Sequence, residues 1–456
     1  MSLPARAWWA LVPPLFLLAA GAMVLLAPPY ENPDELRHFS NAVYWAAKLK
    51  RDHVLAHHAR LAAHQEKFQT PLYYLSLAPA VWLAGYEGPL RFPPIDPAFR
   101  CAPAPPGQTI HRRYLPLQGP QQEAGARAMY AMRLTSLLWG LFAVLLGQAL
   151  FWKLSRRNRP LTLAATSLWA LNPRWLETCA SVSNDVAATA LAALALWVLA
   201  RTLRQARPPT LATAALLGAL CALAAYAKMN AAGLAGVAAV AVFLGARFGG
   251  APWRRCLGLA LMLVATTLAL LSPWLLRNYL MFGDALLLDR ALWEPYVATR
   301  ATTMHPWDFF REEFQGFRWS YYAVFGQFAL LMHPAAYRVL DAFLLFGGAL
   351  GLLFWARVVL AAPDWRERLV QSLAPAWLLL AFAAFLTYNS GVYALQGRLI
   401  FPAAWAIAYL QAGGLLQLAP KRWQGRAACL LLVIMLAWDY YVLRHVLWQA
   451  FRYLPI

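Results

Sequence analysis

Residues 211–246 read LATAALLGALCALAAYAKMNAAGLAGVAAVAVFLGA, two apolar runs hinged at a single charge, Lys228. A bilayer span needs about 20 mostly apolar residues. Working outward with that ruler gives about eleven spans: 7–27, 132–152, 160–178, 185–203, 211–227, 229–246, 256–276, 338–356, 371–388, 399–418 and 427–443. The composition agrees: 61% of the 456 residues are hydrophobic, 13% are charged and 21 are Trp, more apolar side chain than a water-facing surface accommodates. The expected fold class is an all-α polytopic transmembrane helix bundle, a single domain over residues 1–456. The stretch from Ala7 to Ala27 has no small-residue cleavage site and runs into Pro28 and Pro29, so it reads as an uncleaved first span.

The net charge of +20 comes from 40 Lys plus Arg against 20 Asp plus Glu. In a soluble chain such a balance raises the question of nucleic acid, but here the cations sit between apolar runs. Lys153, Arg156, Arg157 and Arg159 follow the second span, Arg201, Arg204 and Arg207 the fourth, and Arg247, Arg254 and Arg255 the sixth. Arg357, Arg366 and Arg368 follow the eighth, opposed by Asp364 and Glu367, and Lys421, Arg422 and Arg426 follow the tenth. The alternate turns are nearly uncharged. The positive-inside rule then puts the N-terminus in the cytoplasm and the C-terminus outside.

Two long segments fall on the outer face, residues 28–131 and 277–337. Connections this long are usually functional. Within the first, Gln69 to Gly85 is apolar over too few residues to cross and reads as a juxtamembrane, interfacial or re-entrant helix. The tail from Glu87 to Gln122 is Pro-rich and irregular, and no strand pattern or tandem repeat is seen. Cys101, Cys179, Cys221, Cys256 and Cys429 are scattered, with neither a disulfide framework nor a zinc spacing.

The densest polar run follows the first span directly: Tyr30-Glu31-Asn32-Pro33-Asp34-Glu35-Leu36-Arg37-His38-Phe39. Asn32 as N-cap, Pro33 at the first helical position and Glu35 beyond them make a capping box that opens a helix. Asp34 and Glu35 then lie within helical reach of His38. A carboxylate at a helix N-terminus is held ionised, which suits it to take a proton or to ligate a divalent cation such as Mg or Mn; ordinary capping is the plain alternative. His53, His57 and His58 fit a solvated amphipathic helix better than a metal site, since H-x-x-x-H-H lacks the glutamate of a zinc protease motif.

The order of Pro29-Tyr-Glu31-Asn-Pro33-Asp34-Glu35-Leu-Arg-His38 after a first span resembles the GT-C superfamily of polytopic glycosyltransferases. Within it the likeness is to bacterial relatives of the protein O-mannosyltransferases. Further pieces match in order: His64-Gln-Glu66-Lys-Phe-Gln-Thr-Pro71-Leu-Tyr73-Tyr74, Leu171-Asn172-Pro173, Ser183-Asn184-Asp185, Lys228, Trp274 to Asn278, and Gln396-Gly397-Arg398 before a span. Thr70 stands where a proline is usual, and Leu399 and Ile400 where an aromatic is common.

The resemblance implies transfer of a sugar from a polyprenyl-phosphate donor to a glycan, lipid or protein acceptor, within the bilayer and without nucleic acid. It puts Asp34 or Glu35 in the role of base or metal ligand. Such chemistry needs a base for the acceptor hydroxyl and cations for the departing phosphate. Arg398, Arg277, Arg133 and Lys228 are the candidate cations, with snorkelling to headgroups the plain alternative; Gly397 would let a group approach Arg398 closely. His64 and Glu66 are placed on the acceptor side, Asn184 and Asp185 as pocket lining or a helix cap, and Glu31, His38, Tyr73 and Gln396 as substrate contacts. A lipid-linked glycan flippase or a silent scaffold is the alternative; a transporter should show internal repeats and midplane charges, and neither is found.

Overall fold

The computed structural model describes residues 8–87, 90, 92–99, 113–115, 119–205 and 208–451. Cys101, Arg207 and most of the Pro-rich tail lie outside them. Among the described residues the chain is helical almost throughout. α1 (Val12–Leu26) leads into α2 (Glu35–Leu49), α3 (His53–Ala62) and α4 (Leu72–Leu83), followed by the long α5 (Pro120–Leu154). Then come α6 (Arg159–Ala170), α7 (Pro173–Cys179), α8 (Asp185–Leu203), α9 (Leu211–Ala227), α10 (Leu234–Phe248) and α11 (Trp253–Phe282). A single turn, α12 (Pro306–Asp308), runs through a π-helical stretch into α13 (Phe314–Tyr322). The chain ends in α14 (Pro334–Leu360), α15 (Trp365–Gly391), α16 (Phe401–Leu416), α17 (Gln424–Tyr441) and α18 (Trp448–Phe451).

Among the described residues eight helical segments are long and apolar enough to cross a bilayer, and the protein is a multi-pass membrane protein. α1 and α9 are apolar but shorter. The expected span 160–178 is not continuous. Asn172 accepts from the backbone N–H groups of Arg174 (2.9 Å) and Trp175 (3.3 Å), and Pro173 has no N–H to give, so a new helix starts there.

α8 and α16 form the centre, with 78% and 83% of their apolar stretches buried, against 17% for the peripheral α14. Burial of two facing backbones this deep requires small residues. A Cβ on Gly414 would lie 2.4 Å from the carbonyl carbon of Leu350, which is why α14 and α16 approach as closely as they do.

The described residues of both long segments, 28–131 and 277–337, form further helices. α4 covers the stretch expected as an interfacial or re-entrant helix and packs on α2 and α5 through Tyr73, Tyr74, Leu77 and Ala78. α3 turns Leu55, Ala56 and Ala59 inward and leaves His53, His57 and His58 exposed. α11 continues to Phe282, so residues 277–282 are helix, not loop. The second segment also contains a small antiparallel hairpin, β1 (Val324–Phe325) with β2 (Leu330–Leu331), which is too short to leave a period-two pattern in the sequence.

Candidate active site

The turn between α1 and α2 is strained, with Tyr30 at φ 72° and Asp34 at φ 60°. Non-glycine residues in the left-handed region cost roughly 1–3 kcal/mol each and persist only where their surroundings fix them. Arg133 does most of the fixing. Buried inside α5, it donates to the carbonyls of Val24 (3.2 Å), Ala27 (2.5 Å) and Pro28 (2.8 Å), at the end of α1 and the start of the turn. Its other donors grip both oxygens of Glu35, at 2.7 and 2.6 Å. Glu35 also accepts from the Val182 N–H at 3.1 Å and has no exposed surface. From the hairpin, Gln327 donates to the carbonyls of Tyr30 (3.1 Å) and Asn32 (2.8 Å).

The expected capping box does not form. α2 starts at Glu35, with Asp34 in the cap position and no side-chain cap bond. Glu35 is committed to Arg133, and the amide of Asn32 lies among Glu35, Glu177 and Arg133. Arg133 is likewise removed from the candidate phosphate cations, because all its donors face inward.

Asp34 is left facing the site, its side chain 24% exposed. Arg398 donates through Nη2 to Asp34 Oδ2, through Nη1 to the Pro33 carbonyl (3.4 Å) and through Nε to Gln396 Oε1 (2.6 Å). Arg37 stands 3.8 Å from the other Asp34 oxygen. Burial pulls the Asp34 carboxyl upward, but Arg398 and its charged neighbours outweigh it and hold the group below the ordinary carboxylate range. Gly397 admits protein, not ligand: a Cβ there would sit 2.4 Å from Tyr321 Cα, and its N–H donates to Ser320 Oγ at 2.8 Å. α13 thereby clamps the loop that carries Arg398.

Asp185, at the N-terminus of α8, pairs with Lys228 at 2.7 Å and accepts from Ser183 at 3.2 Å. Its neighbour Asn184 donates to Gln69 at 3.1 Å. His38 Nδ1 lies 2.8 Å from the Tyr74 hydroxyl and 3.2 Å from Glu66 Oε2, and Tyr74 donates to that oxygen at 3.1 Å. Asp34, Arg398, Lys228 and Asp185 all act electrostatically on His38, so these residues from α2, α4, α8, the α9–α10 turn and the start of α16 share one cluster.

Other expected residues lie elsewhere. Glu31 is buried and accepts from the backbone N–H groups of Arg113 (3.3 Å) and Tyr114 (3.1 Å), tying that stretch to the turn after α1. Tyr73 is fully buried against Ser136 at 2.6 Å, a helix-packing contact. His64 is exposed and borders Tyr296. Arg277 stacks on Trp274 at 4.3 Å and donates to Asn278 at 2.9 Å, with neither partner in the cluster. Tyr74 and the ion pair of Arg174 with Glu177 were missed. The pair holds the hairpin, Arg174 donating to the Val324 carbonyl and Glu177 accepting from the Gly326 N–H at 3.0 Å. Its signal was present as opposite charges three apart inside an apolar segment.

The donor set does not suit a divalent cation. Among the described residues no three His, Cys, Asp or Glu are grouped to hold one. Asp34 and Asp185 already carry Arg398 and Lys228.

No family model matches the chain, and no curated protein matches it. Solved structures do. ArnT from Cupriavidus metallidurans bound to undecaprenyl phosphate superposes with a TM-score of 0.54 at 14% identity, over 98% of this chain and 74% of that one. The apo state of the same ArnT gives 0.49 at 15%, over 92% and 62%. The archaeal oligosaccharyltransferase AglB from Archaeoglobus fulgidus, in complex with an inhibitory peptide and a dolichol-phosphate, gives 0.49 at 12%, over 96% and 55%. The first of these carries the comparison: the chain is a polytopic membrane protein with the GT-C fold.

Proposed function

We propose that the chain is a glycosyltransferase that moves a sugar from a polyprenyl-phosphate donor to a cell-envelope acceptor on the periplasmic face of a bacterial inner membrane. In this reading residues 28–131 and 277–337 bound the periplasmic segments of one transmembrane domain. The observation that carries it is the contact of Asp34 with Arg398, an acid and a guanidinium at the open side of a cluster whose other acids are Asp185, paired with Lys228, and the buried Glu66. A guanidinium suits a phosphate, which it grips with two parallel hydrogen bonds. Around the site the cations Arg37, Arg398 and Lys228 face Asp34, Asp185 and Glu66, and burial disfavours the charge on Glu66, so the balance favours an anion. The similar ArnT structure holds undecaprenyl phosphate, which supports a lipid phosphate as that anion.

Asp34 is the base and Glu35 the anchor. When a donor phosphate engages Arg398, Asp34 loses its cation and its affinity for a proton rises, at the moment an acceptor hydroxyl must give one up. The acceptor oxygen then attacks the anomeric carbon, and the carbon–oxygen bond to phosphate breaks with its electron pair going to the phosphate held by Arg398 and Lys228. Gln396 orients Arg398, and Asn184 and His38 line the same pocket.

The test is transfer of labelled sugar from a panel of undecaprenyl-phosphate sugars to envelope extract by the purified protein. The reading predicts transfer from at least one donor by wild type and transfer lowered by ~100-fold or more by Asp34→Asn. It is overturned if no donor is consumed and undecaprenyl phosphate itself does not bind.

A further inference from the structure

Of Asp34, Glu35, Glu66, Glu177 and Asp185, four are matched to an arginine or lysine: Arg398, Arg133, Arg174 and Lys228. Glu66 is not. Buried and 5% exposed, its carboxylate meets, among the described residues, the Tyr74 hydroxyl and His38 Nδ1 and no Arg or Lys. A buried acid without a cation binds a proton unusually well. His38 touches the Glu66 half of the site and feels the Asp34 half through space. It sits one turn along α2 from Asp34, which is the charged group acting most strongly on its ring. Its Nδ1 faces Tyr74 and Glu66, and its Nε2 has no hydrogen-bond partner among the described residues.

We propose that His38, Tyr74 and Glu66 form a proton relay that carries the proton taken up at Asp34 away from the reacting oxygen and deposits it on Glu66. The inference rests on the glycosyltransferase reading above. The steps balance. A water entering at the partly exposed Asp34 carries the first hop: the O–H bond on Asp34 breaks as the proton joins that water, and an O–H bond of the water breaks as the Nε2–H bond of His38 forms; the Nδ1–H bond breaks as a proton reaches the Tyr74 oxygen; the original Tyr74 proton passes to Glu66 Oε2. His38 ends neutral in its other tautomer, Tyr74 is unchanged, Asp34 is a carboxylate again and Glu66 is a carboxylic acid.

The electrostatics run the same way. Glu66 is pushed up to about 7, by burial first and by Asp34 next, against the opposing pull of Lys228, Tyr74 and Arg398. Tyr388 on α15 also faces it. Burial pushes His38 down to about 3, so it passes a proton without holding one. Asp34, held low beside Arg398, gives the proton up and returns to its resting pair. Return of the proton from Glu66 to water resets the site.

The relay has a signature that needs no sugar and no acceptor. With Glu66 protonated, Tyr74 donates to Nδ1 and His38 carries its proton on Nε2. With Glu66 ionised, Tyr74 donates to Glu66 and His38 carries its proton on Nδ1. Nitrogen-15 histidine NMR of the full chain in nanodiscs, titrated between about pH 5 and about pH 9, reads this directly. His38→Gln identifies the signal. The relay predicts that His38 stays neutral throughout and exchanges Nε2–H for Nδ1–H with a midpoint near 7, and that Glu66→Gln fixes one tautomer at every pH. The relay is wrong if wild-type His38 becomes an imidazolium in that range or keeps a single tautomer, an outcome that leaves the transfer reading untouched.

Discussion

Arg398 donates to the Asp34 carboxylate across 364 positions of sequence, while Glu35, the next residue along, is held at both oxygens by Arg133. Adjacent acids therefore have opposite environments. One is at the mouth of the site beside an exchangeable cation, and the other is sealed in the bundle.

This separates the pair experimentally. Asp34→Asn is expected to change stability by about 1 kcal/mol, since the side chain is partly exposed, and to lower transfer by ~100-fold or more. Glu35→Gln is expected to destabilise by about 3–5 kcal/mol, because it leaves Arg133 buried without its counter-charge. Melting in detergent together with a transfer assay distinguishes the two. Equal loss of stability in both variants would contradict the assignment.

Gly397 gives a steric test of the clamp on Arg398. Gly397→Ala places a methyl group against the Tyr321 backbone, which cannot rotate away as a side chain would. We expect a loss of roughly 1–3 kcal/mol in melting and weakened lipid-phosphate binding. Unchanged melting would show that the α13 contact is not tight.

Glu66 makes a pH prediction with a defined sign. Its proton affinity is raised in the folded chain, so the unfolded chain releases its proton first as pH rises. The stability this group contributes is full below the ordinary glutamate range, declines as pH rises toward about 7, and is lost above it. Glu66→Gln has no such loss. Its stability relative to wild type should improve by about 3 kcal/mol between pH 4.5 and pH 8. A constant difference across that range would place the Glu66 titration elsewhere.

Topology is checked with reporter fusions. Fusions after Arg159, Arg255 and Arg368 are expected to read cytoplasmic, and fusions within 290–320 periplasmic. A cytoplasmic signal from 290–320 would put Asp34 on the wrong side, because Gln327, further along the same connection between α11 and α14, bonds the Asp34 turn.

The bundle was legible because hydropathy is local. Ten of the eleven apolar runs are single helical segments, and the exception, 160–178, broke at Asn172, whose capping role only competes with helix continuation once Pro173 is weighed beside it. The charged residues were legible as a set but not as pairs. Nothing near Glu35 in sequence indicates that Arg133 will neutralise it, and Gly397 reads equally well as room for a ligand or for Tyr321. The Asp34 turn was misread as a capping box because the same residues satisfy that pattern when Glu35 is free to cap. Partner choice depends on packing between distant helices, and a single sequence does not display it.

The central claim is that Arg398 is exchanged between Asp34 and a lipid phosphate, and the direct measurement is binding of labelled undecaprenyl phosphate to wild type, Arg398→Lys and Arg398→Ala in nanodiscs. The exposed Arg444, treated the same way, is the control for headgroup anchoring. The account predicts weaker binding with lysine, loss of binding with alanine, and no change at Arg444. Equal affinity for wild type and Arg398→Ala would contradict it.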